Sequence, residues 1–102
     1  MEHETGRQLT KEDIVEAIIG AAATVAPNVG ALDADSRLMG KNARLDSIGF
    51  VMMLVRLEED LGNAVDLSSS LLGQDGVEEA RHPFFTVNSL AEHIRGLMSA
   101  RP

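Results

Sequence analysis

Apolar residues recur at helical spacing in separate windows and nowhere alternate, so this chain can hide its apolar surface only by packing helices together. The first window opens at Thr10-Lys11-Glu12-Asp13. Thr10 is placed to accept from the amide three residues on, and Glu12 and Asp13 sit at the positive end of the helix dipole. Ile14, Ile18, Ala22 and Val25 share one face, with Val15 and Ile19 beside them. Pro27 sets the end, because the residue before a proline resists helical geometry. A second helix is expected from Asp46 to about Leu61, stopped by Gly62-Asn63, and Val65 to Leu72 predicts a short third helical turn. In the last window Val87, Leu90, Ile94, Leu97 and Met98 form one stripe behind a cap at Thr86 or Asn88. Asn28 to Arg44 carries glycines, asparagines and mixed charge, with Leu32, Leu38 and Met39 as isolated apolar anchors. It reads as a long ordered loop, and such loops in small domains are usually functional or well packed. Gly73 to His82 is polar and reads as a mobile insertion. Residues 1–9 read as a flexible leader and 10–98 as the one domain that 102 residues allow. The expected fold is all-α, a four-helix bundle with a long loop between helices 1 and 2.

Composition removes several function classes. The absence of cysteine excludes disulfides, thiolate metal sites and a cysteine nucleophile, so any thiol chemistry needs sulfur from outside the polypeptide. Acidic residues outnumber basic ones by 16 to 9, giving a net charge of −7, which disfavours nucleic acid and anionic membranes. Tryptophan and tyrosine are absent, so base-stacking platforms are not expected either. No apolar run approaches membrane-spanning length, and Met1-Glu-His-Glu-Thr-Gly lacks the layout of a signal peptide. A soluble cytoplasmic monomer is expected, suited to a partner with a basic surface.

The second helix has more apolar surface than one core contact needs. Phe50, Met53, Leu54, Leu57 and Leu61 gather on one side, while Ile48, Val51, Met52 and Val55 gather nearly opposite. Two arrangements satisfy this pattern: a central helix buried on both sides, or an exposed patch that meets a partner or a tethered ligand. Glu58-Glu59-Asp60, at the far end of this helix, is either a solvated face or a steering group for a basic partner.

Asp46-Ser47 lies where loop becomes helix. With Asp46 as the cap, Ser47 is the first helical residue, and the helix dipole would favour a phosphate ester there. Capping alone also explains the pair. A nucleophilic serine of the elbow type needs glycine on both sides, and Leu45 stands where the first is required, although Gly49 fits. His3, His82 and His93 are the only bases for such a serine, and His93 reads as a solvated helix residue. Asp33-Ala34-Asp35 opens like a calcium loop but has Leu38 and Arg44 where glycine and glutamate are required. The three histidines have no zinc spacing, and no glycine-rich phosphate loop is present.

Leu45-Asp46-Ser47-Ile48, followed by Val51, Leu54, Leu57-Glu58-Glu59 and Leu61, resembles the attachment motif and second helix of acyl carrier proteins, usually written Gly-x-Asp-Ser-Leu. Thr86-Val87 with Leu90 and Ile94 resembles the family's threonine-valine start of the last helix, so the likeness covers about residues 10–98. The resemblance implies a non-catalytic carrier with a four-helix bundle of acyl-carrier type. Its Ser47 would hold a covalent 4′-phosphopantetheine arm, added from coenzyme A by a phosphopantetheinyl transferase. Acyl or aminoacyl groups would ride as thioesters on the arm's thiol, loaded by a ligase and passed to downstream transferases of lipid or secondary-metabolite biosynthesis. Asp46 would help the transferase arrange its metal and the serine. Ile48, Val51, Met52 and Val55, with Glu58 and Glu59, would face partners. Departures are also present. Arg44 replaces the motif glycine, Gly49 and Met52 stand where fatty-acid carriers usually have acids, Arg56 adds a positive charge, and residues 69–85 form a longer segment than usual. These changes resemble a stand-alone specialised carrier outside core fatty-acid elongation. The reading that needs no prosthetic group is a small acidic helical adaptor using Ile48, Val51, Met52 and Val55 as its binding face.

Overall fold

The structure, a computed structural model, describes residues 10–40, 42–62, 65–73, 78 and 81–99. The expected leader at 1–9 and most of the expected insertion at 73–82 lie outside the described residues. Among the described residues four helices follow one another: α1 Lys11–Val25, α2 Ser47–Asp60, α3 Leu67–Leu72 and α4 Val87–Ser99. A 3₁₀ turn, Pro27–Val29, follows α1, and the described residues form no strand. The domain is all-α, with a long gap between α1 and α2. No helix among the described residues is long and apolar enough to cross a membrane.

Each helix starts on a side-chain cap. Thr10 and Asp13 cap α1 reciprocally, the threonine hydroxyl accepting from the Asp13 amide and the Asp13 carboxylate from the Thr10 amide, both at 3.1 Å. Asp66 caps α3 by accepting from the Ser69 amide at 3.1 Å and from the Ser69 hydroxyl at 2.9 Å; these bonds hold its carboxyl below the usual aspartate range. At α4 Thr86 provides the cap and Asn88 does not. The Thr86 hydroxyl accepts from the Ser89 amide at 3.0 Å and the Ser89 hydroxyl from the Thr86 amide at 2.9 Å, so serine does the work glutamate does in the usual pairing. Helix α1 ends at Val25, two residues before Pro27, and α2 ends at Asp60, with Gly62 two residues beyond at a φ of 69° that suits glycine.

Helix α1 packs against both α2 and α4, and α3 packs against α2. The core includes Ile14 and Ile18 from α1, Met53 and Leu57 from α2, Leu67 from α3 and Leu90 and Ile94 from α4, all without exposed surface. Phe84, just before α4, is equally buried and meets the Phe50 ring edge-on at 6.2 Å between centroids. Lys11 and Glu92 join α1 to α4 at 2.8 Å.

The long gap is ordered by the start of α4. The free amides of its first turn, Val87 and Asn88, donate to the Ser36 and Ala34 carbonyls at 3.1 and 2.8 Å, and Leu38 donates to Phe85 at 2.7 Å. Leu38 is buried, with Leu32 and Met39 packed partly against the core, so the expected anchors hold the loop down. Asp33 heads a tight turn instead of a cation loop: its carboxylate accepts from the Asp35 amide at 2.9 Å.

Candidate functional site

Ser47 is the first residue of α2, and its side chain is exposed. Two neighbours fix its place. Leu45 is buried and anchors the chain on one side. Asp46 caps the helix on the other, its carboxylate accepting from the Gly49 amide at 2.7 Å while its carbonyl accepts from Phe50 at 2.8 Å. A side chain at position 49 would bring a Cβ within 3.1 Å of the capping oxygen, so Gly49 makes room for this short bond. The serine hydroxyl therefore stands in solvent at the positive end of α2, where an added phosphate ester would be stabilised.

Beside Ser47 lies an open cleft of about 450 Å³. Its wall is largely apolar: Leu38, Met39, Ala43 and Leu45 from the loop, Phe50 and Val51 from α2, and Leu71 from α3, with Asp46 and Ser47 also bordering it. A smaller hollow of about 230 Å³, between Asn28, Val29, Arg44, Leu45 and Asp46, lies against the same cap. The wall residues Met39, Ala43 and Leu71 were not singled out as site residues in the sequence. A leucine pair on a short helix was the available signal, since Leu71 and Leu72 cannot both face the same way.

Helix α2 is buried on one side only. Phe50, Met53, Leu54 and Leu57 turn inward, whereas Ile48 is 72%, Val51 52%, Met52 50% and Val55 46% exposed. These four, at successive turns, leave one apolar face of the helix in solvent. Leu72 of α3, which the sequence did not point out, is 78% exposed.

The acidic run divides by role. The Glu58 carboxylate accepts from the Leu67 amide at 2.6 Å and the Ser68 amide at 3.3 Å, joining α2 to the start of α3. Asp60 pairs with Arg56 at 3.2 Å, so the added positive charge on α2 is matched one turn away. Glu59 is exposed. Glu58 is thus held within the fold and Glu59 faces solvent.

His82 and His93 are occupied elsewhere, and His3 lies outside the described residues. His82 is buried, and its Nδ1 accepts from the Phe84 amide at 3.1 Å. His93 is half-buried rather than solvated, because its ring packs on Phe84 at 5.5 Å between centroids and its Nε2 meets the Ser70 hydroxyl. Burial holds both imidazoles below the usual histidine range, with the charge of His82 adding to the effect at His93. Compared with family models, curated proteins and solved structures, the chain matches none.

Proposed function

We propose that this chain is a carrier whose Ser47 hydroxyl is esterified by 4′-phosphopantetheine and which presents acyl or aminoacyl groups to partner enzymes. The observation that carries this reading is an exposed serine hydroxyl at the first residue of α2, beside an open apolar cleft. The residues fit such a group. Ser47 is reachable, the α2 amide end favours its phosphate, and the cleft of about 450 Å³ offers apolar surface next to the attachment point. When bound, the arm supplies the thiol that a chain without cysteine lacks, and cargo is held on it as a thioester. The chain's own residues orient and present. Asp46 fixes the helix start with one carboxylate oxygen and has the other for a transferase's metal. Ile48, Val51, Met52 and Val55 form the face that partner enzymes cover, with Glu59 the acid best placed to steer them. A flexible tether raises the effective concentration of cargo at each partner's site. The partners are a phosphopantetheinyl transferase, a loading ligase and downstream transferases.

Incubating the purified protein with coenzyme A and a broad-specificity transferase should add one phosphopantetheinyl group to the intact mass. Ser47→Ala should add none. An unmodified native protein, or equal addition to the variant, removes the reading.

The same exposed face supports one other role, an acidic helical adaptor with no prosthetic group. It predicts partner binding that Ser47→Ala leaves unchanged.

A further inference from the structure

The part of the long loop that delivers Asp46 and Ser47 is residues 39–45. Two of its residues take left-handed backbone, Gly40 at φ 81° and Asn42 at φ 69°, and the Ala43 amide closes a local turn on the Gly40 carbonyl at 3.2 Å. Among the described residues, every hydrogen bond that ties this segment to the rest of the chain comes from Arg44. Its amide donates to the Arg37 carbonyl at 2.9 Å. Its guanidinium reaches back across the loop, Nη2 donating to the Val29 carbonyl at 2.8 Å and to the Ala31 carbonyl at 3.3 Å. One side chain thus closes the loop at its base, fastening the chain just before the α2 cap to the turn that ends α1.

We propose that Arg44 is a positioning residue for the modification of Ser47. Its guanidinium, shared between the Val29 and Ala31 carbonyls, holds segment 39–45 in the form from which Asp46 and Ser47 are presented. The proposal rests on the carrier reading above and adds to it a device that a motif glycine could not provide. The physical argument is one of populations. Segment 39–45 also contributes Met39, Gly40 and Ala43 to the cleft beside Ser47. A modifying enzyme that docks there meets both the serine and this wall. Without the guanidinium bonds the part of the segment before buried Leu45 samples other conformations, and binding must first select the ordered one. If only about a tenth of molecules hold it, apparent affinity falls about tenfold, while the bound complex reacts as before. Lysine brings the charge but not the planar donor geometry, so it restores the tie only in part. The helices should persist in these variants, because Leu38 and Leu45 stay buried and the loop's bonds to Ser36 and Ala34 do not involve Arg44.

The test uses the full chain and its Arg44→Ala and Arg44→Lys variants, with saturating coenzyme A and a broad-specificity transferase, varying the carrier concentration. Circular dichroism first establishes that helicity is retained. The expected result is a KM about tenfold higher for Arg44→Ala with kcat unchanged, an intermediate KM for Arg44→Lys, and faster hydrogen exchange at the residue 44 amide in both. A wild-type KM and wild-type exchange in Arg44→Ala would overturn the proposal while leaving the carrier reading standing. Should Arg44→Ala fail to fold, Arg44→Lys decides: a KM and exchange rate equal to wild type overturn the proposal. An unmodified wild-type protein removes the carrier reading and this proposal with it.

Discussion

Glu58 and Glu59 are adjacent and alike in sequence, yet removing them should have very different consequences. Glu58 reaches from α2 to the first turn of α3 and accepts two amides, the Leu67 bond at 2.6 Å being partly buried. Helix α3 has only six residues, too few to be stable by itself, because helix nucleation is unfavourable. A hydrogen bond to an ionised acceptor contributes about 1.5–3 kcal/mol. The Ser68 bond is longer, exposed and shares the same oxygen, so it adds little. Glu58→Ala should therefore destabilise the domain by about 2 kcal/mol, and Glu58→Gln, which retains an acceptor without charge, by about half as much. For a domain of this size the Ala variant should melt roughly 8–16 °C lower. Glu59→Ala, at an exposed position, should stay within about 0.5 kcal/mol of wild type. Thermal and urea melts followed by circular dichroism measure all three. Equal melts for Glu58→Ala and Glu59→Ala would show that the bridge to α3 contributes nothing and that Glu58 is simply another solvated acid.

The two sides of α2 should also respond differently. Leu57→Ala, at a position without exposed surface, should cost about 2–5 kcal/mol in urea denaturation, and a loss below about 1 kcal/mol would contradict its place in the core. Val51→Asp should leave helicity intact while slowing modification by the transferase; collapse of the circular dichroism spectrum would mean that the outer face is packed. The two histidines make stability depend on pH. Both hold folded values below the ordinary 6.5, so the unfolded chain takes up their protons first. Stability should be level above about pH 7 and fall as pH drops below 6.5, before the carboxylates titrate. Protonation at His82 Nδ1 also removes the acceptor of the Phe84 amide. Urea midpoints between pH 5 and 8 measure this. A level profile, or an unchanged fall in the His82→Gln, His93→Gln double variant, would contradict it.

The helices were legible in the sequence because their signals are local. Thr10, Asp46 and Thr86 stand at helix starts with cap geometry, and Pro27 and Gly62 mark ends. The inward stripe of α2 followed from spacing alone. Exposure of the opposite face did not, because periodicity gives two apolar sides without saying which one the rest of the chain covers. What escaped the sequence depends on distant partners. Phe84 sits outside any helical stripe, yet it is fully buried between Phe50, His82 and His93. Arg44 reads as a departure from a glycine motif, and its bonds to Val29 and Ala31 become visible only once the loop is folded. Glu58 belongs to an acidic run, and nothing local separates it from Glu59. The Ser47 position was legible because a cap and a first helical residue are set by neighbours. The cleft beside it was not, since its walls come from the loop, α2 and α3.

The most direct measurement is fragmentation mass spectrometry of the peptide containing Asp46-Ser47-Ile48, taken after treatment with coenzyme A and a transferase. The carrier account predicts one phosphopantetheinyl ester, on the Ser47 oxygen and on no other hydroxyl of the chain. An unmodified Ser47 peptide, or the group located on a different serine or threonine, contradicts it.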